Sequence, residues 1–142
     1  MSKSYCISIP GKPQGKGRPR FSRNGHTYTP QNTADYEDLI KSVWYSINGC
    51  AKFTLDTPLA CRITAYYEPP KSASKKKRKE LLDGLWAMKK PDADNIVKVV
   101  LDALNGVAYH DDVQVVCVFT FKKYAEVASV DVELYEVGGE IY

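Results

Sequence analysis

A helix with both ends marked in the sequence, over residues 93–104, constrains the fold more than any other segment. Pro91-Asp92 precedes it, and its apolar positions recur at spacings of three and four. Gly106 follows the last apolar position, where a helix commonly ends. The segment therefore predicts a helix of defined length with one buried face, which must pack on the rest of the chain.

At 142 residues the chain is expected to form one domain of α/β (α+β-like) class, with helices packed on a mixed β-sheet. Apolar runs of strand length predict strands at residues 5–9, 59–67, 113–124 and 129–136. The last two are expected to pair antiparallel. A short hairpin over residues 21–29 should turn at Asn24-Gly25. Helical spacing predicts two further helices, at about residues 30–48 and 72–85. The apolar stripe of the first comprises Tyr36, Leu39, Ile40, Val43, Trp44 and Ile47.

Charge and cysteine content exclude several classes of protein. The formal net charge is +3, and no apolar run approaches the roughly 20 residues that span a bilayer. The N-terminal MSKSYCISIP lacks the apolar segment of a signal peptide, so a cytoplasmic protein is expected. The cysteines form no CxxC pair, which argues against structural zinc. Those in strand-like runs, Cys6, Cys61 and Cys117, are expected to be buried free thiols.

Two acidic pairs flank the helix at residues 93–104. Asp92 and Asp94 lie at its start, and Asp111 and Asp112 follow it and open the next predicted strand. An aspartate at a helix start commonly caps free backbone N–H groups, and this explanation accounts easily for one of the first pair. Carboxylates from two elements also suit Mg²⁺, which prefers oxygen ligands and acts on phosphodiesters in nucleases. The spacing leaves both interpretations open.

Lys98 lies four residues after Asp94 and therefore on the same helix face. Asp102 lies four residues further on, so an ordinary ladder of salt bridges is one interpretation, and for Asp102 it is the favoured one. For Lys98 we favour a role beside a metal, contacting phosphate or assisting the leaving group.

Positive charge is concentrated in two segments that bracket the acidic residues: a glycine-rich loop over residues 10–23 and a lysine-rich helix start over residues 71–79. Such charge contacts phosphates without reading sequence, which predicts structure-selective binding of nucleic acid. Phe21, Tyr28 and Trp86 could stack on unpaired bases or simply pack in the protein. The residues expected to contact DNA are Lys12, Lys16, Arg18, Arg20, Arg23, Lys75, Lys76, Lys77, Arg78, Lys89 and Lys90.

The segment PDADNIVKVVLDALNGVAYHDDVQVV resembles the signature of the RusA family of Holliday junction resolvases. The Pro10-Gly11-Lys12-Pro13 loop that follows the first strand also suits this family. The resemblance implies a homodimer that uses Mg²⁺, or Mn²⁺ in its place, to nick two strands of a four-way DNA junction in bacterial or phage recombination and repair. It further implies that the catalytic and metal-binding set comprises Asp92, Asp94, Asp112 and Lys98, with a secondary role for Asp111.

Two alternatives to a junction resolvase stay open. One is a metal nuclease of broader range that also cuts flaps or forks. The other is a DNA-binding module without catalysis, whose aspartates only cap and solvate a helix. The second acidic pair argues against the binding module, because a single helix start does not require it.

Overall fold

The computed structural model describes residues 3–18, 20–28 and 30–138, and its core lies between a four-stranded sheet and two helices. The strands are β1 (Ser4–Pro10), β2 (Arg20–Phe21), β3 (Thr27–Tyr28), β4 (Leu59–Tyr67), β5 (Val115–Tyr124) and β6 (Ser129–Glu136). The helices are α1 (Gln31–Asn48), α2 (Lys75–Leu82) and α3 (Ala93–Leu104). This single mixed α/β domain confirms the predicted fold class.

The four-stranded sheet has the order β1-β6-β4-β5, with β6 antiparallel to both β1 and β4, and β4 parallel to β5. The predicted pairing of β5 with β6 is therefore wrong. The strand β4 takes the place between them, since six of its nine side chains are buried. Residues 125–128 carry the chain past the end of β4, where the Ala125 N–H donates to the Tyr67 carbonyl at 3.0 Å.

Both core helices bury a stripe of the expected period. In α1 the side chains of Tyr36, Ile40 and Trp44 are buried, but Ile47 in the last turn is 64% exposed, against the prediction. In α3 the fully buried side chains are Ile96, Val99, Val100, Ala103 and Leu104. This face packs against α1 and β5 and leaves the polar face of α3 towards solvent.

Helix α2 is shorter than the sequence predicted. The Ser74 hydroxyl accepts a hydrogen bond from the Lys77 N–H at 3.1 Å and caps its start. Gly84, with a φ of 127°, follows its end. Both α2 and α3 lie in the connection between β4 and β5, so this connection carries both acidic pairs.

The remaining expectations have mixed outcomes. The hairpin of β2 and β3 is confirmed, with a φ of 78° at Gly25 in its turn. Cys61 is buried as predicted, and burial raises the pKa of its thiol to about 12. Cys6 is exposed instead, because strand alternation places it on the sheet face that α1 and α3 leave uncovered. No helix in the described ranges is long and apolar enough to cross a membrane.

Candidate active site at the start of α3

Asp92 occupies the N-cap position of α3, but its side chain accepts no capping hydrogen bond from any described backbone N–H. Asp94 follows in the first helical turn, and both residues are exposed. Helix capping therefore does not account for the Asp92 carboxylate, which remains available to a ligand. The positive end of the α3 dipole also favours bound negative groups at this position, including phosphate.

A cleft of about 560 Å³ opens beside Asp92. Its walls come from the glycine-rich loop, the start of α1 and the turn before α3. They combine one carboxylate with cations and neutral amides, namely Asp92, Arg18, Lys90, Gln14, Asn32 and Asn95. Cations and amide N–H donors are the groups that bind phosphate oxygens, so this cleft is chemically suited to a nucleic-acid backbone.

A second cleft of about 340 Å³ adjoins the first, and Lys90 lines both. Its other cations are Lys12, Lys71 and Lys89. We call the two clefts together, which lie beside the start of α3, the basic channel. A run of cations along a groove attracts a phosphate backbone and raises its local concentration.

Tyr67 supports the turn that carries Asp92. Its hydroxyl donates to the Pro91 carbonyl at 3.2 Å, just after the cis peptide bond between Lys90 and Pro91. Burial, followed by the charges of Tyr36 and Asp92, raises the pKa of Tyr67 to about 12. Tyr67 is therefore a neutral donor that holds this turn in place.

The glycine-rich loop lies directly on α3 at Gly15 and on the start of α1 at Gly17, because these two residues lack side chains. A Cβ atom on Gly15 would stand 2.9 Å from the Cβ atoms of both Asn95 and Pro91. The Lys16 N–H donates to the Asn95 carbonyl at 3.1 Å in the same contact. Gly17 is equally confined, since its Cβ would approach the Thr33 hydroxyl oxygen to 2.6 Å. The loop thus forms one fixed wall of the cleft.

Lys16 differs from the expectation that its ammonium contacts DNA. Its Nζ lies 3.3 Å from Glu37 on α1 and 3.2 Å from Asp102 on α3, and the side chain is only 17% exposed. Burial alone would lower the pKa of Lys16, but hydrogen bonds to Asp102 and Glu37 and their negative charges outweigh burial, so the pKa is raised. The charge of Lys16 therefore joins the loop to two helices.

In the second acidic pair, Asp111 caps a turn and Asp112 does not. Asp111 accepts the Val113 N–H at 3.2 Å and caps a 3₁₀ turn, Asp112–Gln114. The buried Gln114 side chain accepts the Asp111 N–H at 3.1 Å and donates to the Thr54 carbonyl at 2.8 Å. These bonds fix the turn and leave the partly buried Asp112 carboxylate without a capping task. The sequence had placed this pair at the start of a strand, which begins only at Val115.

The Asp112 carboxyl lies in a concentration of negative charge. Partial burial raises its pKa, and the hydrogen bond and charge of Asp111, followed by the charge of Asp102, raise it further. Carboxylates held close together in this way are oxygen donors of the kind that a divalent cation takes. The chemistry of the donors therefore fits such an ion.

The positions of the donors are more spread out than the sequence suggested. Asp112 lies near Asp102, eight residues along α3 from Asp94, which corresponds to about 12 Å of helix. Within the described ranges no three acidic, histidine or cysteine side chains form a group that could hold a metal ion. The convergence of Asp92, Asp94 and Asp112 on one ion therefore stays a prediction.

The other predicted contacts of DNA lie on three surfaces. Lys12, Arg18, Lys89 and Lys90 line the basic channel. Arg23 is exposed on the hairpin, and Lys75, Lys76 and Lys77 are exposed on α2 with Arg78 partly buried. The Arg20 side chain lies outside the described part of the structure. Lys98 is exposed on α3, one turn after Asp94.

Sequence reasoning missed several residues of the site. Gln14 and Asn32 line the cleft, Tyr67 supports its floor, and Glu37 holds Lys16. Neutral amides carry no charge pattern or spacing that marks them in a sequence. Glu37 reads as one more solvated acid on an amphipathic helix, and only the fold brings it to the loop.

Comparison with known proteins gives the family of this chain. The family model described as Endodeoxyribonuclease RusA matches residues 10–135. A Bacillus subtilis (strain 168) protein, "Uncharacterized protein YqaN", is 36% identical over 140 residues, covering 93% of this chain and 97% of that protein. The fold is a single mixed α/β domain, and its cleft combines one carboxylate with cations and amides. The chain belongs to the RusA family of endodeoxyribonucleases, which act on branched DNA with divalent metal.

Proposed function

We propose that this chain is a Mg²⁺-dependent, structure-selective endodeoxyribonuclease that resolves four-way DNA junctions by paired symmetric nicks. One observation carries the proposal: Asp92 presents an uncapped carboxylate to a cleft walled by Arg18 and Lys90. A DNA-binding module has no need of a free carboxylate there, because it would repel phosphate. Family membership supports the same conclusion.

The cations bind and orient the substrate. Lys12, Lys89 and Lys90 line the basic channel, and Arg18 lies at the end that contains Asp92. A phosphate backbone held along these residues would place one phosphodiester beside the start of α3. Orientation of this kind contributes much of the rate acceleration in phosphodiester hydrolysis.

The acidic residues that would hold a metal are Asp92, Asp94 and Asp112, with Asp111 in a supporting role as the cap of its turn. The chemistry that Mg²⁺, or Mn²⁺ in its place, supplies when bound is neutralisation of the scissile phosphate and acidification of a water. Lys98 lies one helical turn from Asp94 and offers a positive charge to the leaving oxygen.

A homodimer follows from the substrate. A four-way junction has approximate two-fold symmetry, and its resolution requires two equivalent incisions on opposite strands. Two copies of this small domain, each with one cleft, would supply them. The setting that fits the family is the cytoplasm of a bacterium, or a phage gene expressed there.

The experiment is cleavage of a four-way junction compared with a flap, a fork and a linear duplex, each with Mg²⁺ and with EDTA. We expect metal-dependent incision of the junction in preference to the duplex. Equal cutting of flaps and forks would identify the broader branched-DNA nuclease instead. Absence of incision with any of these substrates and either Mg²⁺ or Mn²⁺ would contradict the proposed activity.

Asp94→Asn tests the catalytic assignment. It should reduce single-turnover incision by at least about a hundredfold while leaving junction binding intact or stronger, because it removes a negative charge near phosphate. Lys98→Ala should likewise slow cleavage by more than it weakens binding. Asp38→Asn, at an exposed position on α1, is the matched control and should cleave normally. Incision by Asp94→Asn at the normal rate would make Asp94 a structural residue.

A further inference from the structure

The sheet face that α1 and α3 leave uncovered carries a run of aromatic side chains at its β5 side. Phe119 and Phe121 are partly exposed, and because they are two residues apart on β5 they lie on the same face of the sheet. Their neighbours in register on β4 are Arg62 and Thr64. Large apolar side chains on an uncovered sheet face often mark a binding surface.

Trp86 extends this run beyond the edge of the sheet. It forms an isolated antiparallel bridge with Lys123, and its ring stacks on Phe121 with centroids 6.4 Å apart and planes at 24°. The next residue, Ala87, is buried and donates its N–H to the Lys122 carbonyl at 2.9 Å. The Trp86 ring is therefore held in place while 60% of its surface remains exposed.

Cations alternate with these rings. The Lys123 ammonium lies 5.7 Å from the ring centroids of both Trp86 and Phe121. The Arg62 guanidinium lies 5.5 Å from the Phe119 centroid. We call this set of residues, namely Trp86, Phe119, Phe121, Lys123 and Arg62, the aromatic strip.

We propose that the aromatic strip binds unpaired bases of DNA, with Trp86 as the principal stacking residue. Exposed rings interleaved with cations are what single-stranded nucleic acid requires, since bases stack on the rings and phosphates meet the cations. The inference rests on the proposed function, because a branched junction offers unpaired or distorted bases near its crossover.

A short segment of chain connects the strip to the basic channel. The chain runs from Trp86 through Lys89 and Lys90, which line that channel, to Asp92. The Lys122 ammonium donates a hydrogen bond to the Lys89 carbonyl and ties this segment to β5. A strand leaving the channel thus has a stacking surface next to it, on the segment that leads to the cleft.

A second copy of the chain is a less suitable occupant. Two-fold contact centred on the Trp86 and Phe121 rings would bring Lys123 of one copy close to Lys123 of the other. Like charges brought together at an interface are unfavourable. The acids of this face, Glu133 and Asp131, lie on β6 beside Arg62 and Thr64, so they offset Arg62 and leave Lys123 at the β5 edge as the main cation of the strip. Phosphate groups have the opposite charge to Lys123, so charge complementarity at this edge favours nucleic acid.

Intrinsic fluorescence provides a direct test, because the chain has two tryptophans and Trp44 is fully buried. The full-length protein in EDTA is titrated with oligo(dT) and with a duplex of equal length. We expect oligo(dT) to quench the emission of the exposed Trp86 more strongly than the duplex does. Unchanged emission at saturating oligo(dT) would overturn the proposal.

Variants give the affinity measurement. Trp86→Ala should weaken oligo(dT) binding on the order of tenfold, and Trp86→Phe should restore most of the affinity, because a phenyl ring still stacks. Lys123→Gln keeps all the rings and removes one cation. It should make the slope of log affinity against log salt shallower by about 0.7. Tyr45→Ala, at a half-exposed aromatic on α1, is the control and should bind normally.

Self-association is followed for the same variants by sedimentation. Loss of dimers with unchanged oligo(dT) affinity would mean that the strip is a contact between copies, which overturns the proposal. The binding assays are done in EDTA, where metal-dependent cleavage cannot occur, so binding by the strip and nuclease activity are tested separately. If the protein cleaves junctions normally but binds oligo(dT) equally well without Trp86, only the proposal for the strip is contradicted. If binding depends on Trp86 but no substrate is cleaved, only the proposed nuclease function is contradicted.

Discussion

The glycine-rich loop and helix α2 are both basic, yet the structure holds them in different ways. The loop lies against α3 through Gly15 and the Lys16 backbone, and the Lys16 ammonium joins it to two helices. Helix α2 buries only Leu81, and its one ion pair within the described residues, between Lys77 and Glu80, spans 3.9 Å on the surface. Similar charge patterns therefore serve different purposes.

The difference teaches where specificity can arise. A cation on a fixed wall meets a phosphate in one geometry, so it can select the shape of a substrate. A cation on an exposed helix attracts any phosphate backbone, and salt strongly weakens this attraction. We therefore expect the loop to govern which DNA is cut, and α2 to govern how tightly DNA is held.

Gly15→Ala should have the largest effect of the substitutions that test this difference between the loop and α2. The added methyl would meet two Cβ atoms at 2.9 Å, and neither can rotate away. We expect a loss of about 1–3 kcal/mol in the free energy of unfolding, together with a large loss of junction cleavage. Urea denaturation and single-turnover kinetics measure the two effects.

Gly138→Ala is the matched control, because no atom lies within 4 Å of its added Cβ and its φ is not positive. It should leave both quantities unchanged. A Gly15→Ala protein with normal stability and cleavage would show that the loop is free to move away from α3, and the distinction between the two basic regions would be lost.

Lys16→Met should have the next largest effect, on stability more than on binding. It leaves Glu37 and Asp102 without their shared cation, at a cost of about 1–2 kcal/mol, between the values for surface and buried pairs. Lys12→Met, which changes an exposed lysine of the same loop, should instead weaken DNA binding and leave the unfolding midpoint unchanged. The reverse pattern would place Lys16 among the direct DNA contacts.

The pH dependence of the Lys16 interaction has a definite sign. A raised pKa means that protonated Lys16 stabilises the folded chain, so its contribution is complete below the ordinary pKa of 10.5. The contribution disappears only as pH rises through the raised value. The stability difference between Lys16→Met and the unaltered protein should therefore be constant near neutrality and shrink above pH 10.5.

Lys76→Ala should have the smallest effect. Unfolding free energy should change by less than about 0.5 kcal/mol, because the side chain is exposed. Affinity for junction and duplex should fall alike, and the slope of log affinity against log salt should become shallower by about 0.9. Lys52→Ala, exposed near the far end of α3, should change neither. A selective loss of junction cleavage in Lys76→Ala would move α2 into the specificity-determining region.

Local signals in the sequence were sufficient for the bounds of α3 and β4, which the structure reproduces. Residues typical of a helix start and of a helix end flank α3, and β4 is a mainly apolar run between turns. The partner of β5 could not be predicted in the same way, because strand pairing joins distant segments and the alternation of side chains is identical for any partner.

The roles of charged residues were harder to separate than their positions. Asp92 and Asp111 both precede a helical turn, yet only Asp111 accepts a capping hydrogen bond from the described backbone. Lys16 and Lys12 are neighbours in one loop, and the fold alone decides that Lys16 meets carboxylates. Sequence shows which charges are present, whereas the opposing group is supplied by another element.

The connection between β4 and β5 has a consequence for divergence. It contains α2, α3 and the turns around Asp92 and Asp112, while β1, β6 and β4 are held together by antiparallel hydrogen bonds that do not involve it. Lengthening such a connection costs little, since closure entropy grows only with the logarithm of its length. Insertions or exchanges around α2 can therefore accumulate during evolution on an unchanged sheet, so that affinity for DNA drifts faster than the architecture that supports it.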